Sequence, residues 1–291
     1  MLSLKYPEDR AVKQRLAESV ASKDQGRVVD RWEEGIRGDP NDWWLQECLV
    51  EAYEQIEDHH GAIRGWTRLL ASHPGGGMLQ ERLADAYEIA QHFDKAIQIW
   101  KILIRKSPNN WWPQQRLEEV YDRINDVELA ITGWKELVDS SSDNWALQQR
   151  LEKAFLKSGN HDRAISEWTA LLERHGGNRK IQERLAEAYK NGDQIDEAIK
   201  HWKALLEADF NNERIQNQLD QAFFGKGGTE NKAIELWKAL VEQNIDNVRY
   251  RMFLERAYRR KGDPDVAMMG WKGLLSRHSD NAAIQWKETE N

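Results

Sequence analysis

Two short segments that recur along the chain decide its fold: LQERLADAY (Leu79–Tyr87) and AIQIWKILI (Ala96–Ile104). In each segment apolar residues return every three or four positions, which is the stripe of an amphipathic helix. In other copies turn-forming residues separate the two segments, and their glycine is expected to take the left-handed conformation that helix ends often need. These turns are Ser158-Gly159-Asn160, Asn191-Gly192-Asp193 and Lys261-Gly262-Asp263. Each copy therefore predicts two helices. Because neither helix can bury its apolar stripe alone, neighbouring copies are expected to stack.

A tryptophan in the second segment marks the period of the repeat. Successive tryptophans are 34 residues apart, with a single interval of 35. This fixed period predicts one small unit copied many times and excludes most single-core enzyme folds. Because each tryptophan shares its helical stripe with Ala and Leu, we predict that they form the core and not an exposed ladder for ligands. They are Trp32, Trp66, Trp100, Trp134, Trp168, Trp202, Trp237 and Trp271.

Composition and charge narrow the class of protein. The 291 residues carry a net charge of −7, with 40% apolar and 31% charged residues. The apolar share is too high for a generally disordered chain. The negative net charge disfavours binding of nucleic acid, because contacts with its phosphates need clustered Lys and Arg. The single cysteine, Cys48, allows neither an intrachain disulfide nor a cysteine-based zinc site. No stretch is apolar enough to cross a membrane. We expect a soluble cytoplasmic chain without cofactor or metal.

The unit resembles the tetratricopeptide repeat family over nearly the whole chain. The family's first-helix Leu and Tyr match Leu83 and Tyr87, and its second-helix Ala and aromatic match Ala96 and Trp100. The chain departs from the family where small residues are usual, as at Glu118, which leaves the curvature of the stack open. Its Ala-Ile-x-x-Trp-x-x-Leu style is also similar to repeats of some fungal NOD-like receptors, where such arrays form the sensing end.

The resemblance implies an all-α, right-handed α-solenoid (superhelix) that forms a single domain over residues 1–291. Gly225–Asn231 is expected to absorb the one-residue change of period. A partial or capping helix is expected at 280–290, and because it caps the array poorly we also expect end-to-end association between chains. The eight predicted hairpins span about 8–37, 43–72, 77–106, 111–140, 145–174, 179–208, 213–243 and 248–277.

The family binds extended peptides on the concave face that its first helices form. The residues at those positions are acidic in the second and third hairpins and basic in the fifth and eighth, which predicts a charge gradient that orients a ligand. The competing interpretation is a merely solvated face. The candidate ligand-binding residues are Trp44, Glu47, Glu51, Glu54, Glu81, Arg82, Asp85, Glu88, Trp112, Arg116, Glu119, Arg150, Lys153, Lys180, Arg184, Arg249, Arg256 and Arg259.

Further tryptophans occur at the starts of first helices, namely Trp43-Trp44, Trp111-Trp112 and Trp145. They follow residues that we interpret as helix N-caps: Asp42, Asn110 and Asn144. In each doublet one ring should face the neighbouring hairpin, and the other, Trp44 or Trp112, should lie on the ligand side. Packing and ligand contact both remain open for these rings.

Catalytic and metal-binding patterns do not stand out. The His59-His60 pair has no cysteine or helical His partner, and Gly75-Gly76-Gly77 lacks the Lys-Ser/Thr of a phosphate loop. We therefore predict a non-enzymatic scaffold that binds a protein or peptide, with the sensor region of a larger receptor as one form of that role. The alternative is an RNA-associated helical-repeat protein, which the basic stretch Arg249–Arg260 keeps open.

Overall fold

The structure, a computed structural model, describes residues 25–225 and 229–277. Within these ranges the chain forms fifteen α-helices and no strand, which confirms the predicted all-α repeat. In chain order the helices are α1 (Gln25–Gly38), α2 (Trp43–Gln55), α3 (His59–Ser72), α4 (Gly77–Ile89), α5 (Phe93–Lys106), α6 (Trp111–Ile124), α7 (Val127–Ser140), α8 (Trp145–Ser158), α9 (His161–Arg174), α10 (Arg179–Asn191), α11 (Ile195–Ala208), α12 (Glu213–Gly225), α13 (Glu230–Gln243), α14 (Val248–Lys261) and α15 (Pro264–Arg277).

The helices group into two compact units, one ending at Asn160 and the other beginning at His161. The N-terminal unit contains α1 to α8 and the C-terminal unit contains α9 to α15. Within each unit consecutive helices pack against one another. The division of the chain into eight hairpins of a single domain stays a prediction.

Three predicted features fall on residues outside the described ranges. These are the first helix of the first hairpin, the capping helix at 280–290 with the self-association inferred from it, and 226–228 of the loop that absorbs the change of period. Among the helices that are described, none has the length and apolarity needed to cross a bilayer.

The repeating tryptophans form the cores of both units. All of them from Trp66 to Trp271 are 3% exposed or less, which confirms the core prediction for seven of the eight. The eighth, Trp32, is partly buried and packs edge-on against Trp44 with 5.7 Å between ring centroids. Because a buried large apolar side chain contributes about 1.5–3 kcal/mol, this regular burial is a main source of stability for the stack.

The turns between hairpins are fixed by side chains that recur with the repeat. Asp42, Asn110 and Asn144 cap their helices as predicted, and the Asp42 Oδ1 accepts from the Trp44 and Leu45 N–H groups at 3.0 and 3.1 Å. A buried glutamine in the first helix then donates its amide N–H to a carbonyl oxygen six residues earlier. The donor–acceptor pairs are Gln46–Pro40, Gln114–Pro108, Gln148–Ser142 and Gln216–Phe210.

Two of the three predicted left-handed glycines end helices as expected. Gly159 and Gly262 have φ values of 66° and 69°. The prediction is wrong for Gly192, whose φ is −83°. There the next residue, Asp193, takes the left-handed conformation with φ 65°. An aspartate tolerates this region better than most side chains, so the turn reverses one residue later than predicted.

A tyrosine of the first helix packs against a glycine of the second helix in three hairpins. A Cβ atom at Gly133 would overlap the Tyr121 hydroxyl, and the same holds for Gly65 with Tyr53 and for Gly270 with Tyr258. Where the chain has a larger residue at this place, as at Ile99 or His201, the tyrosine is only partly buried. The absence of a side chain at the glycine therefore makes room for the tyrosine side chain beside the second helix.

Candidate functional site

In the N-terminal unit the first helices α2, α4, α6 and α8 present a polar surface, here called the first-helix face. Ion pairs join neighbouring helices across it: Arg82 of α4 contacts Glu47 of α2 at 2.5 Å, and Arg116 of α6 contacts Asp85 of α4 at 2.9 Å. The apolar stripe of each helix points into the core, as at Leu83, so the repeat period carries the polar positions to this face.

A cavity of about 340 Å³ opens on the first-helix face of α2, α4 and α6. This volume is within the usual range of ligand pockets, ~300–1,000 Å³. Ile89 and Trp112 line it and are 47% and 39% exposed. The lining residues are Glu47, Val50, Tyr53, Glu54, His59, Ala62, Trp66, Arg82, Asp85, Ala86, Glu88, Ile89, Trp112, Arg116 and Arg123. Six predicted site residues of this region are therefore brought together with Trp112.

Glu88 lies in the wall of this cavity, but its carboxylate is already fully engaged. It is 4% exposed and accepts a hydrogen bond from the Trp100 indole N–H at 2.8 Å. Its other oxygen accepts from Arg116 at 3.0 Å and from Arg123 at 2.9 Å. Glu88 therefore anchors the core tryptophan and two guanidinium groups, a structural role that the sequence interpretation did not give it.

Burial raises the pKa of three acidic groups in and beside the cavity, Glu81, Asp85 and Glu88, above their ordinary values. For Asp85 the loss of solvent outweighs the opposing effect of Arg116, so its pKa is raised. The pKa of Glu81 is raised by burial and by the charge of Asp85, although Arg82 opposes both. Raised carboxyl pKa values mean that the ionised groups are incompletely stabilised by the protein's own cations.

Two predicted carboxylates of α2, Glu51 and Glu54, are exposed and make no ion pair with any described residue. Glu54 lines the cavity. Glu119, in contrast, pairs with Arg116 at 2.7 Å. The acidic end of the predicted gradient therefore keeps charge that the protein does not neutralise.

The basic end of the predicted gradient in this unit is largely neutralised. Arg150 and Lys153 of α8 both pair with Glu118, and Lys157 pairs with Asp122 at 2.5 Å. Neither Glu118 nor Asp122 was among the candidate residues. Both belong to the preceding first helix, about one repeat earlier in the sequence, which is the signal that could have identified them.

The tryptophan doublets divide differently from the expectation. Trp44 is 7% exposed and packs on Trp32, so the structure places this ring in the core, and Trp43 is the exposed ring of its doublet. In the second doublet both rings are exposed, with Trp112 beside Arg116, whose guanidinium carbon lies 5.9 Å from the ring centroid. Trp145 is also exposed. Sequence patterns could not separate the two doublets, because their helical positions are equivalent.

In the C-terminal unit the three predicted arginines of α14 are paired within the unit. Arg249 pairs with Glu213, Arg256 with Asp220, and Arg259 with Glu255 at 2.5 Å. These contacts leave little unpaired charge at Arg249, Arg256 and Arg259 for binding phosphate groups.

A second cavity, of about 250 Å³, belongs to the C-terminal unit, and burial raises the pKa of Asp220 in its wall. Its lining is Asn217, Asp220, Gln221, Arg249, Met252, Phe253 and Arg256. Two further candidates lie on α10: Lys180 is exposed, whereas Arg184 is buried with 7% exposure.

Reactive and metal-binding chemistry is little supported by the described residues. They contain no group of three or more His, Cys, Asp or Glu side chains arranged to hold a metal ion. Cys48 is buried, and burial together with the charges of Glu51 and Asp42 raises the pKa of its thiol to about 12. The reactive thiolate is therefore strongly disfavoured at neutral pH.

Comparison with known proteins supports the repeat assignment. The family model described as tetratricopeptide repeat matches residues 155–221. A search of curated proteins found no match. A thermophilic TPR protein of Thermus thermophilus is 19% identical, with 60% of this chain and 95% of that chain covered and a TM-score of 0.33.

Two other solved structures show a similar level of likeness. YrrB, described as a TPR protein with an unusual peptide-binding site, is 12% identical over 65% of this chain and 98% of that chain, with a TM-score of 0.32. MamA from Desulfovibrio magneticus RS-1 is 14% identical over 59% of this chain and 97% of that chain, with a TM-score of 0.35. The chain therefore matches the tetratricopeptide repeat over residues 155–221, and a two-helix unit of similar length recurs among the other described helices.

Proposed function

We propose that this protein is a non-enzymatic scaffold that binds an extended peptide segment of a partner protein on the first-helix face. Tetratricopeptide repeats in general support protein–protein interaction. The observation that carries the finer proposal is the cavity of about 340 Å³, which combines exposed apolar side chains with several carboxylates and guanidinium groups. Such a mixture is typical of recognition sites, where an apolar anchor is buried and polar groups fix its orientation.

Ile89 offers a direct test, because it lines the cavity and is 47% exposed. We expect Ile89→Ala to weaken binding of peptides selected from a phage-displayed library of random dodecapeptides by about tenfold, the effect of losing one partly buried apolar contact. Affinities would be measured by fluorescence anisotropy with the selected peptides labelled.

The matched control is Ile102→Ala, which removes the same atoms from α5, a second helix, where the side chain is 43% exposed. Selected peptides should bind this variant as they bind the unchanged protein. Equal losses in both variants, or no enrichment of any peptide over the library, would contradict peptide binding at this cavity.

We further propose that the array is the recognition part of a larger cytoplasmic receptor. The support is the resemblance of its Ala-Ile-x-x-Trp-x-x-Leu units to the sensing ends of fungal NOD-like receptors, together with a single buried cysteine that suits a reducing compartment. The test is to sequence the full transcript: a nucleotide-binding domain in the same reading frame supports a receptor, and a reading frame holding only the repeats contradicts it.

A further inference from the structure

The cavity on the first-helix face has an imbalance of charge. Four carboxylates and three guanidinium groups line it. All three guanidinium groups are already paired: Arg82 with Glu47, and both Arg116 and Arg123 with Glu88. Asp85 also pairs with Arg116, so the remaining carboxylate is Glu54, which is exposed and has no ion-pair partner among the described residues. The cavity therefore offers an incoming ligand a free negative charge and no free positive charge.

Residues near the cavity add to its unpaired negative charge. Glu51 lies one turn before Glu54 on α2 and is also exposed and unpaired. The cations of α8 on the same face contact a different carboxylate, because Arg150 and Lys153 both pair with Glu118. A ligand with negative charge would consequently meet repulsion at α2.

Apolar side chains line the same cavity as the free carboxylate of Glu54. Ile89 and Trp112 are exposed, and Val50 and Ala86 contribute further apolar surface. A ligand that fits must therefore place an apolar group and a cationic group close together. A peptide does this when an apolar residue stands beside a lysine or arginine.

We propose that the partner segment is basic and apolar, with an apolar side chain against Ile89 and Trp112 and a Lys or Arg side chain at Glu54. This inference rests on the proposed function and specifies its ligand. Attraction between the free carboxylates and such a segment also accelerates association at low ionic strength.

The test uses an array of dodecapeptides, each printed in three versions that differ only in whether the charged positions carry Lys, Gln or Glu. We expect the unchanged protein to bind the Lys versions best and the Glu versions least. Glu54→Gln should weaken binding of the Lys versions about fivefold, as expected for loss of one partly exposed charge pair, and should leave the Gln versions unaffected.

The matched control is Glu34→Gln, because Glu34 is an exposed carboxylate of α1, outside the cavity, and its removal changes the net charge equally. Lys peptides should bind this variant as they bind the unchanged protein. Equal losses in Glu54→Gln and Glu34→Gln would show attraction by overall charge only and overturn the proposal, as would preferred binding of Glu peptides.

The failures of the two proposals are distinguishable. Binding of all three versions with equal affinity leaves peptide binding intact and overturns the basic partner. Binding of none of the versions to the folded protein, with its helical circular dichroism intact, overturns both proposals.

Discussion

The close approach of Tyr121 and Gly133 gives a sharp test of how the hairpins are packed. Gly133 lies inside α7, and a Cβ atom there would overlap the Tyr121 hydroxyl and crowd its ring carbon. Tyr121 is 4% exposed and packs edge-on to Trp134 with 5.8 Å between ring centroids. Gly133→Ala should therefore displace the Tyr121 ring from this packing or force α6 and α7 apart.

The size of the effect follows from two opposing terms. Overpacking a close-packed core costs about 1–3 kcal/mol. Replacing a glycine within a helix by alanine recovers ~1 kcal/mol of helix propensity. Because the overlap here involves the hydroxyl and the ring carbon together, the steric term should be at or above its upper value. We expect Gly133→Ala to reduce the free energy of unfolding by about 2 kcal/mol.

A double-mutant cycle separates this contact from other effects. The Tyr121 hydroxyl is buried without a hydrogen-bond partner, so Tyr121→Phe loses no hydrogen bond and should be neutral or slightly stabilising. In the double variant the loss of the hydroxyl should relieve part of the overlap and restore about 1 kcal/mol. Urea unfolding followed by circular dichroism, with amide hydrogen exchange of α6 and α7, measures both quantities.

Gly273→Ala is the matched control, because the nearest atom to a Cβ there is Lys238 Nζ at 3.9 Å. It should stabilise α15 by up to ~1 kcal/mol through helix propensity alone. The packing argument would be refuted if Gly133→Ala were as stable as the unchanged protein, or if its effect were the same with Phe at position 121.

Two further predictions concern the C-terminal unit. Trp168→Ala, at a fully buried position, should cost about 3–5 kcal/mol and unfold the neighbouring helices, as measured by hydrogen exchange; an unchanged melting temperature would contradict a core role. His201 stacks on Tyr189, and burial lowers the pKa of its imidazole, so the unfolded chain takes up this proton first. Stability should consequently fall as pH drops below about 6.5. In His201→Phe the melting temperature should decline less between neutral pH and pH ~5.5, and an identical decline would refute this linkage, with His59→Gln as the exposed control.

The positions that line the candidate site were accessible from the sequence only in part. The helical stripe placed Asp85 and Arg116 on the exposed side of their helices, and the structure finds them 2.9 Å apart. The network that occupies Glu88 was not accessible, since Trp100 and Arg123 reach it from different helices. Pairing between helices depends on how far each long side chain extends, and the period of the repeat does not encode that.

The sequence by itself determined the all-α class, the helix bounds near the capping residues and the burial of the repeating tryptophans. Periodicity suffices for these features because each depends on local geometry and on one apolar stripe. Tertiary structure alone decided that Trp44 is buried while Trp112 is exposed, and that Glu54 is unpaired while Lys153 is neutralised by Glu118. These outcomes depend on which side chains of neighbouring helices lie within reach of one another, because charge pairing and solvent exposure are properties of the packed surface.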